Sequence, residues 1–111
     1  VVTRKLRVAT KRPIARRLPA IDTRGAHGLI AIKAADANTN NVVYKPAASN
    51  GFLGPLGAAA NTITLKPGQV WVITDFSAAG WTVTPATADL INLANSGAGT
   101  SVTYDILIAG F

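Results

Sequence analysis

The chain has 111 residues, enough for one domain and too few for two. It has no cysteine, which excludes a disulfide framework and any thiolate metal site, and no apolar run approaches the ~20 residues of a membrane-spanning helix. Glutamate and methionine are also missing, and Thr, Val, Ile, Asn, Gly and Pro supply much of the rest, so the composition favours strands and turns over long amphipathic helices.

The net charge of +6 is unevenly placed. Residues 1–24 hold Arg4, Lys5, Arg7, Lys11, Arg12, Arg16, Arg17 and Arg24 against Asp22 alone, a net +7. Residues 25–111 hold three lysines against four aspartates, a net −1. Like charges repel and few apolar groups are on hand to bury, so residues 1–25 read as an extended basic arm outside the core that needs an anionic partner to order it. Leu6, Val8, Ile14 and Leu18, spaced among the charges, read as apolar anchors for the same partner. A start this charged, with no apolar stretch after it, is not the pattern of a secretory signal.

From residue 26 the pattern changes to short strands. Leu29–Lys33 and Val42–Lys45 are the first two, separated by the turn chemistry of Asp36-Ala37-Asn38-Thr39-Asn40-Asn41. Residues 46–60 form a long loop of small residues in which Phe52 and Leu53, flanked by Gly51 and Gly54, read as a flexible contact surface. Thr62–Lys66 alternates, with Ile63 and Leu65 on one face. Lys66-Pro67-Gly68-Gln69 fits a type II turn, so Gln69–Thr74 is expected to return beside it as a hairpin. Trp81–Thr84 alternates with Trp81 and Val83 inward, and Leu90–Ala94 follows Pro85. Ser101–Ala109 is the longest strand, with Val102, Tyr104, Ile106 and Ile108 on one face and Leu107 on the other. Seven short strands broken by turn signals predict an all-β domain over residues 26–111, a small jelly-roll-like sandwich or barrel.

The residues that usually carry chemistry are sparse. His27 is the single histidine, with no second one to share a metal and no cysteine to activate. The five aspartates are spread one per segment, so neither a catalytic carboxylate pair nor a metal cluster is indicated. The run Gly51-Phe52-Leu53-Gly54-Pro55-Leu56-Gly57 lacks the Lys-Ser/Thr ending of a phosphate loop. Trp81 and Tyr104 fall on predicted core faces, and no Lys or Arg is interleaved with the aromatics as in a nucleic-acid stacking platform. No catalytic residue, cofactor or metal is expected.

Three stretches carry a resemblance: Trp81–Thr84, Ala88–Asn95 and Val102–Gly110. In sequence they resemble the C-terminal half of head-decoration, or cement (staple), proteins of tailed bacteriophages, and chain length and basic start resemble the epsilon-fifteen type of short-tailed phage. The resemblance is best over residues 60–111. It implies a jelly-roll-like domain on the outer surface of a virion, clamping neighbouring major capsid proteins and paired or clustered with its own copies. The rival reading is a coat or ribosomal type of nucleic-acid binder with the arm on phosphate. The near-neutral body argues against it, because such proteins usually spread Lys and Arg over the folded domain as well.

Overall fold

The computed structural model describes residues 2–10, 14–17, 28–77, 80–84 and 86–110, with side chains from residue 28 onward. Eight strands run in the order β1 Val2–Thr10, β2 Ile14–Arg17, β3 Gly28–Ala34, β4 Val42–Pro46, β5 Ile63–Leu65, β6 Val70–Asp75, β7 Leu90–Asn95 and β8 Val102–Gly110. The one helical element among the described residues is a 3-10 turn at Gly54–Leu56. The strands form two antiparallel sheets, β1-β8-β3-β6 (sheet A) and β2-β7-β4-β5 (sheet B). That interleaved order is a jelly roll, with eight strands wound as two Greek keys.

The core lies between the sheets and follows the two-residue period of the pleat. Ile30, Ile32 and Ala34 of β3 and Val102, Tyr104, Ile106 and Ile108 of β8 meet Val42, Tyr44, Leu65, Ile91 and Leu93 of sheet B, all buried. Tyr44 packs its ring 5.3 Å from that of Trp71. At one end of the sandwich the Asn38 side chain imitates a strand. Its Nδ2 donates to Thr103 O and its Oδ1 accepts from Thr103 N, both at 2.8 Å. The Asn-rich turn expected over residues 36–41 is therefore tied to β8.

Several expectations change. Val2–Thr10 does not lie outside the body: it pairs with β8 along its whole length, from Val2 with Gly110 to Thr10 with Val102. Ile14–Arg17 likewise pairs with Leu90–Leu93 of β7. These stretches of the expected arm are extended, but as edge strands of the two sheets. The physical reason is that an edge strand needs a partner on one side only, and charged residues are compatible with such a position.

The turn at Lys66–Gln69 is present, with Gly68 at φ +82 and Gln69 N donating to Lys66 O at 2.9 Å. The strands it joins do not form a hairpin, however: β5 pairs with β4 and β6 with β3, so the turn carries the chain from one sheet to the other. Trp81–Thr84 is not a strand and has only a single bridge, Thr84 with Ala88. Its alternation comes from packing instead. Val83 is buried, and Trp81 lies against Gly28 at the start of β3, where an added Cβ would sit 3.1 Å from the indole.

Tyr104 is 1% exposed at the centre of the core. Tyr104→Ala is expected to cost ~3–5 kcal/mol, as for other large aromatic truncations, measured by urea unfolding. A loss below about 1 kcal/mol, the range of surface substitutions, would contradict this packing.

Candidate interaction surface

The two basic strands occupy corresponding places. β1 is an edge of sheet A, β2 is an edge of sheet B, and three residues of chain join them. One flank of the sandwich therefore carries Arg4, Lys5 and Arg7 on one strand and Arg16 and Arg17 on the other. The opposite flank is formed by β5 and β6, whose only ionisable residue within the strands is Asp75. The charge asymmetry of the sequence has become an asymmetry across the molecule.

Register separates the residues within the basic strands. Lys5, Arg7 and Arg17 are partners of Leu107, Asp105 and Leu90, which are half-buried. Leu6, Val8 and Ile14 are partners of Ile106, Tyr104 and Leu93, all buried in the core. That register accounts for Leu6, Val8 and Ile14 without an external partner, but it also sets Arg4 and Arg16 opposite Ile108 and Ile91, which are buried too, so only Lys5, Arg7 and Arg17 of the five cations fall opposite half-buried neighbours. Lys11, Arg12, Leu18 and Arg24 lie outside the described residues, as does His27.

Phe52 and Leu53 also divide. Leu53 is exposed, as a contact residue should be, but Phe52 is 2% exposed and belongs to the core. Its ring stands edge-on to Trp81 at 6.4 Å. The chain then folds back so tightly that a Cβ on Gly54 (φ +31) would strike the Phe52 ring. The glycines that read as flexibility are there to seat this ring. The loop is further pinned where Phe52 N donates to Leu90 O at 2.8 Å.

The aspartates whose partners are seen serve the backbone. Asp75 Oδ1 accepts from Ser77 N at 2.8 Å, a turn role that its place at the end of β6 suits. Asp89 is the unforeseen case. It is 3% exposed, and its Oδ2 accepts from the N–H of Ala86, an alanine held at φ +60. It steadies a strained turn, and its place after a proline loop carried no sequence signal of burial. Among the described residues no three His, Asp or Glu side chains are grouped to hold a metal ion. No helix among them is long and apolar enough to cross a membrane.

No family model matches the chain, and no curated protein matches it in sequence. Several solved structures are similar in shape, three of them as follows. A de novo designed double-stranded β-helix has a TM-score of 0.48 at 12% identity, covering 98% of this chain and 100% of its own. A protein of the disulfide-linked pili that form Bacillus endospore appendages has 0.49 at 16%, covering 96% and 84%. The coat protein of Tobacco streak virus has 0.43 at 10%, covering 95% and 85%. The strand order of the chain itself, rather than these likenesses, defines the jelly roll.

Burial pushes the Tyr44 phenol above the ordinary range near 10. Its hydroxyl finds no hydrogen-bond partner among the described residues. Because the folded state holds this proton more tightly than the unfolded state, the linked stability is complete below pH ~10 and is lost as pH rises beyond it. Tyr44→Phe should therefore leave stability at pH 7 unchanged or raise it by about 1 kcal/mol, since it removes an unsatisfied buried hydroxyl. It should also make the decline between pH 10 and 12 shallower. Urea unfolding at a series of pH values checks both; a steeper alkaline decline in the variant would contradict the assignment.

Proposed function

We propose that this chain is a structural, non-catalytic virion protein. In this reading it is a cement protein on the outside of a bacteriophage head, stapling neighbouring major capsid subunits against the pressure of packaged DNA. The observation that carries the proposal is the basic flank: five cationic residues on two edge strands of the sandwich, three of them (Lys5, Arg7 and Arg17) in register with half-buried neighbours, and a near-neutral body behind them. A flank of this kind suits an anionic surface broad enough to meet both strands, as a seam between shell subunits is. Arg predominates, and its planar fork pairs carboxylates well.

Single exposed ion pairs contribute only ~0–1 kcal/mol, so no one residue would hold the protein in place. Many copies on a shell, each with several weak contacts, sum to firm retention. Leu53, exposed on the loop after β4, supplies an apolar contact to the same surface in this reading. Turn and core roles for the aspartates seen in the structure agree with a protein that holds rather than reacts.

The test must leave the fold intact. Removing residues 1–24 would take away two of eight strands, so charge alone should be changed. Lys5→Gln, Arg7→Gln and Arg17→Gln together alter positions in register with half-buried neighbours rather than core ones. Rebinding of the triple variant to heads emptied of DNA should be weaker than that of the parent, with the deficit shrinking as salt screens the parent's charges. Equal rebinding at low salt would overturn the role of the flank. If the parent instead ignores empty heads and binds duplex DNA with a log–log salt slope near −7, the value for about eight phosphate contacts, the nucleic-acid reading replaces this one.

A further inference from the structure

Strand β6 is the far edge of sheet A, and it is built unlike the other edges. Natural sheets blunt their edges with Lys, Arg, Pro or very short strands. β1 and β2 carry five cations between them, and β5 has three residues with Lys66-Pro67 directly after it. β6 has six residues and no charge before Asp75. Val70 and Val72 are 54% and 56% exposed.

The backbone of β6 is also open. Ala34 N donates to Gln69 O at 3.0 Å, and Ala34 O accepts from Gly68 N at 3.1 Å, so Ala34 turns its polar groups toward the β6 side. By the alternation of an antiparallel ladder, Ile32 and Ile30 do the same toward Trp71 and Ile73. Val70, Val72 and Thr74 then turn their N–H and C=O groups to the free edge, where no strand lies among the described residues. Next to this edge a shallow cavity of about 260 Å³ on the outer face is lined by Ala31, Val70 and Leu107 among others.

We propose that β6 pairs antiparallel with β6 of a second copy of this chain, joining the two A sheets into one continuous sheet about a two-fold axis at Val72. The charge pattern selects this occupant. Two β1 edges would set Arg4, Lys5 and Arg7 against their own copies, whereas β6 meets its copy without opposing like charges. With Val72 opposite Val72 of the partner subunit, Val70 falls opposite the partner's Thr74 and Trp71 opposite the partner's Ile73. This register satisfies all three open residues on each strand, about six hydrogen bonds in total. Asp75 falls opposite the partner's Gln69, so the ends carry no repulsion.

The pairing also places the basic flanks at the two far ends of the dimer, turned away from each other. On the shell reading above, such a dimer reaches two sites with one rigid body. The pairing itself needs no shell, so it stands or falls separately from that reading.

Sedimentation velocity of the full chain in free solution tests it. The parent should show a concentration-dependent dimer. Val72→Lys sets like charges opposite each other at the axis and should weaken dimerisation at least about tenfold, as should Val72→Glu. An equimolar mixture of the two variants should regain dimer, because each pairs with the other. Hydrogen exchange on the parent gives a reading that needs no substitution: amides of Val70, Val72 and Thr74 should gain protection as concentration rises. A parent that stays monomeric up to ~200 µM, well above a micromolar dissociation constant, would overturn the proposal. So would a Val72→Lys variant that dimerises like the parent, or exchange at these three amides that ignores concentration.

Discussion

The register of β8 is the constraint on which the rest of the fold depends. This strand is paired on both sides, with β1 along its whole length and with β3 from Tyr104 to Gly110. Its alternation sends Val102, Tyr104, Ile106 and Ile108 into the core. A slip of one residue would send Thr103 and Asp105 inward and those four outward, an exchange no core of this size could absorb. Once β8 is fixed, the neighbouring residues are placed as well. Asp105 takes Lys33 as its register partner on one side and Arg7 on the other, so a carboxylate stands between two cationic positions across the outer face. Such rows favour one pairing over its alternatives, since opposite charges support a cross-strand pair and like charges oppose it.

How far the fold was legible depended on whether a strand's surroundings were apolar. The spans of β3, β4, β5, β6, β7 and β8 lay close to the surface of the sequence, because each is a short run rich in apolar and β-branched residues bounded by turn residues, with clear alternation in β5 and β8. The inward face of β8 was legible in full. β1 and β2 were hidden by their charge. Arg4 interrupts the apolar alternation of Val2, Leu6 and Val8, and repulsion among the cations of the segment argues for disorder unless β8 and β7 are there to receive it. That is long-range information, set by a register between the two ends of the chain. The pairing of β5 and β6 failed for a similar reason. A Pro-Gly turn fixes the local reversal of the backbone, but which sheet receives the next strand is decided by the Greek-key path.

The candidate site was legible in kind more than in role. The excess of positive charge in residues 1–24 was evident, and so was the near-neutrality of residues 25–111. Less accessible was that alternate residues of the basic segment belong to two environments. Phe52 shows the same ambiguity on a smaller scale. An aromatic among glycines has the appearance of an exposed contact, yet here the glycines let the chain close over the ring beside Trp81. Exposure and burial differ at such a place by the course of one loop, and the sequence around Phe52 carries no periodicity to decide between them.

Counting β1 and β2 into the sandwich also changes why this chain should need a partner. With residues 26–111 alone, the difficulty is the size of the core, since domains of roughly this length bury a small share of their surface. With eight strands the two sheets cover each other, and the core is enclosed from Ile30 to Ile108. The difficulty moves to the edges. A sandwich of two open sheets has four of them, each a row of backbone groups able to recruit another strand. Three are blunted, by cations on β1 and β2 and by brevity at β5, and on the proposed reading the cations that blunt two of them also serve to meet an anionic surface. The fourth, β6, keeps exposed valines and open backbone groups on a rigid strand. An edge in that condition would invite indiscriminate pairing in any concentrated setting, and a symmetric partner that closes it removes the hazard without adding a charge. Protection on one flank and pairing on the other thus answer the same constraint, and together they would give a small protein two outward-facing basic ends.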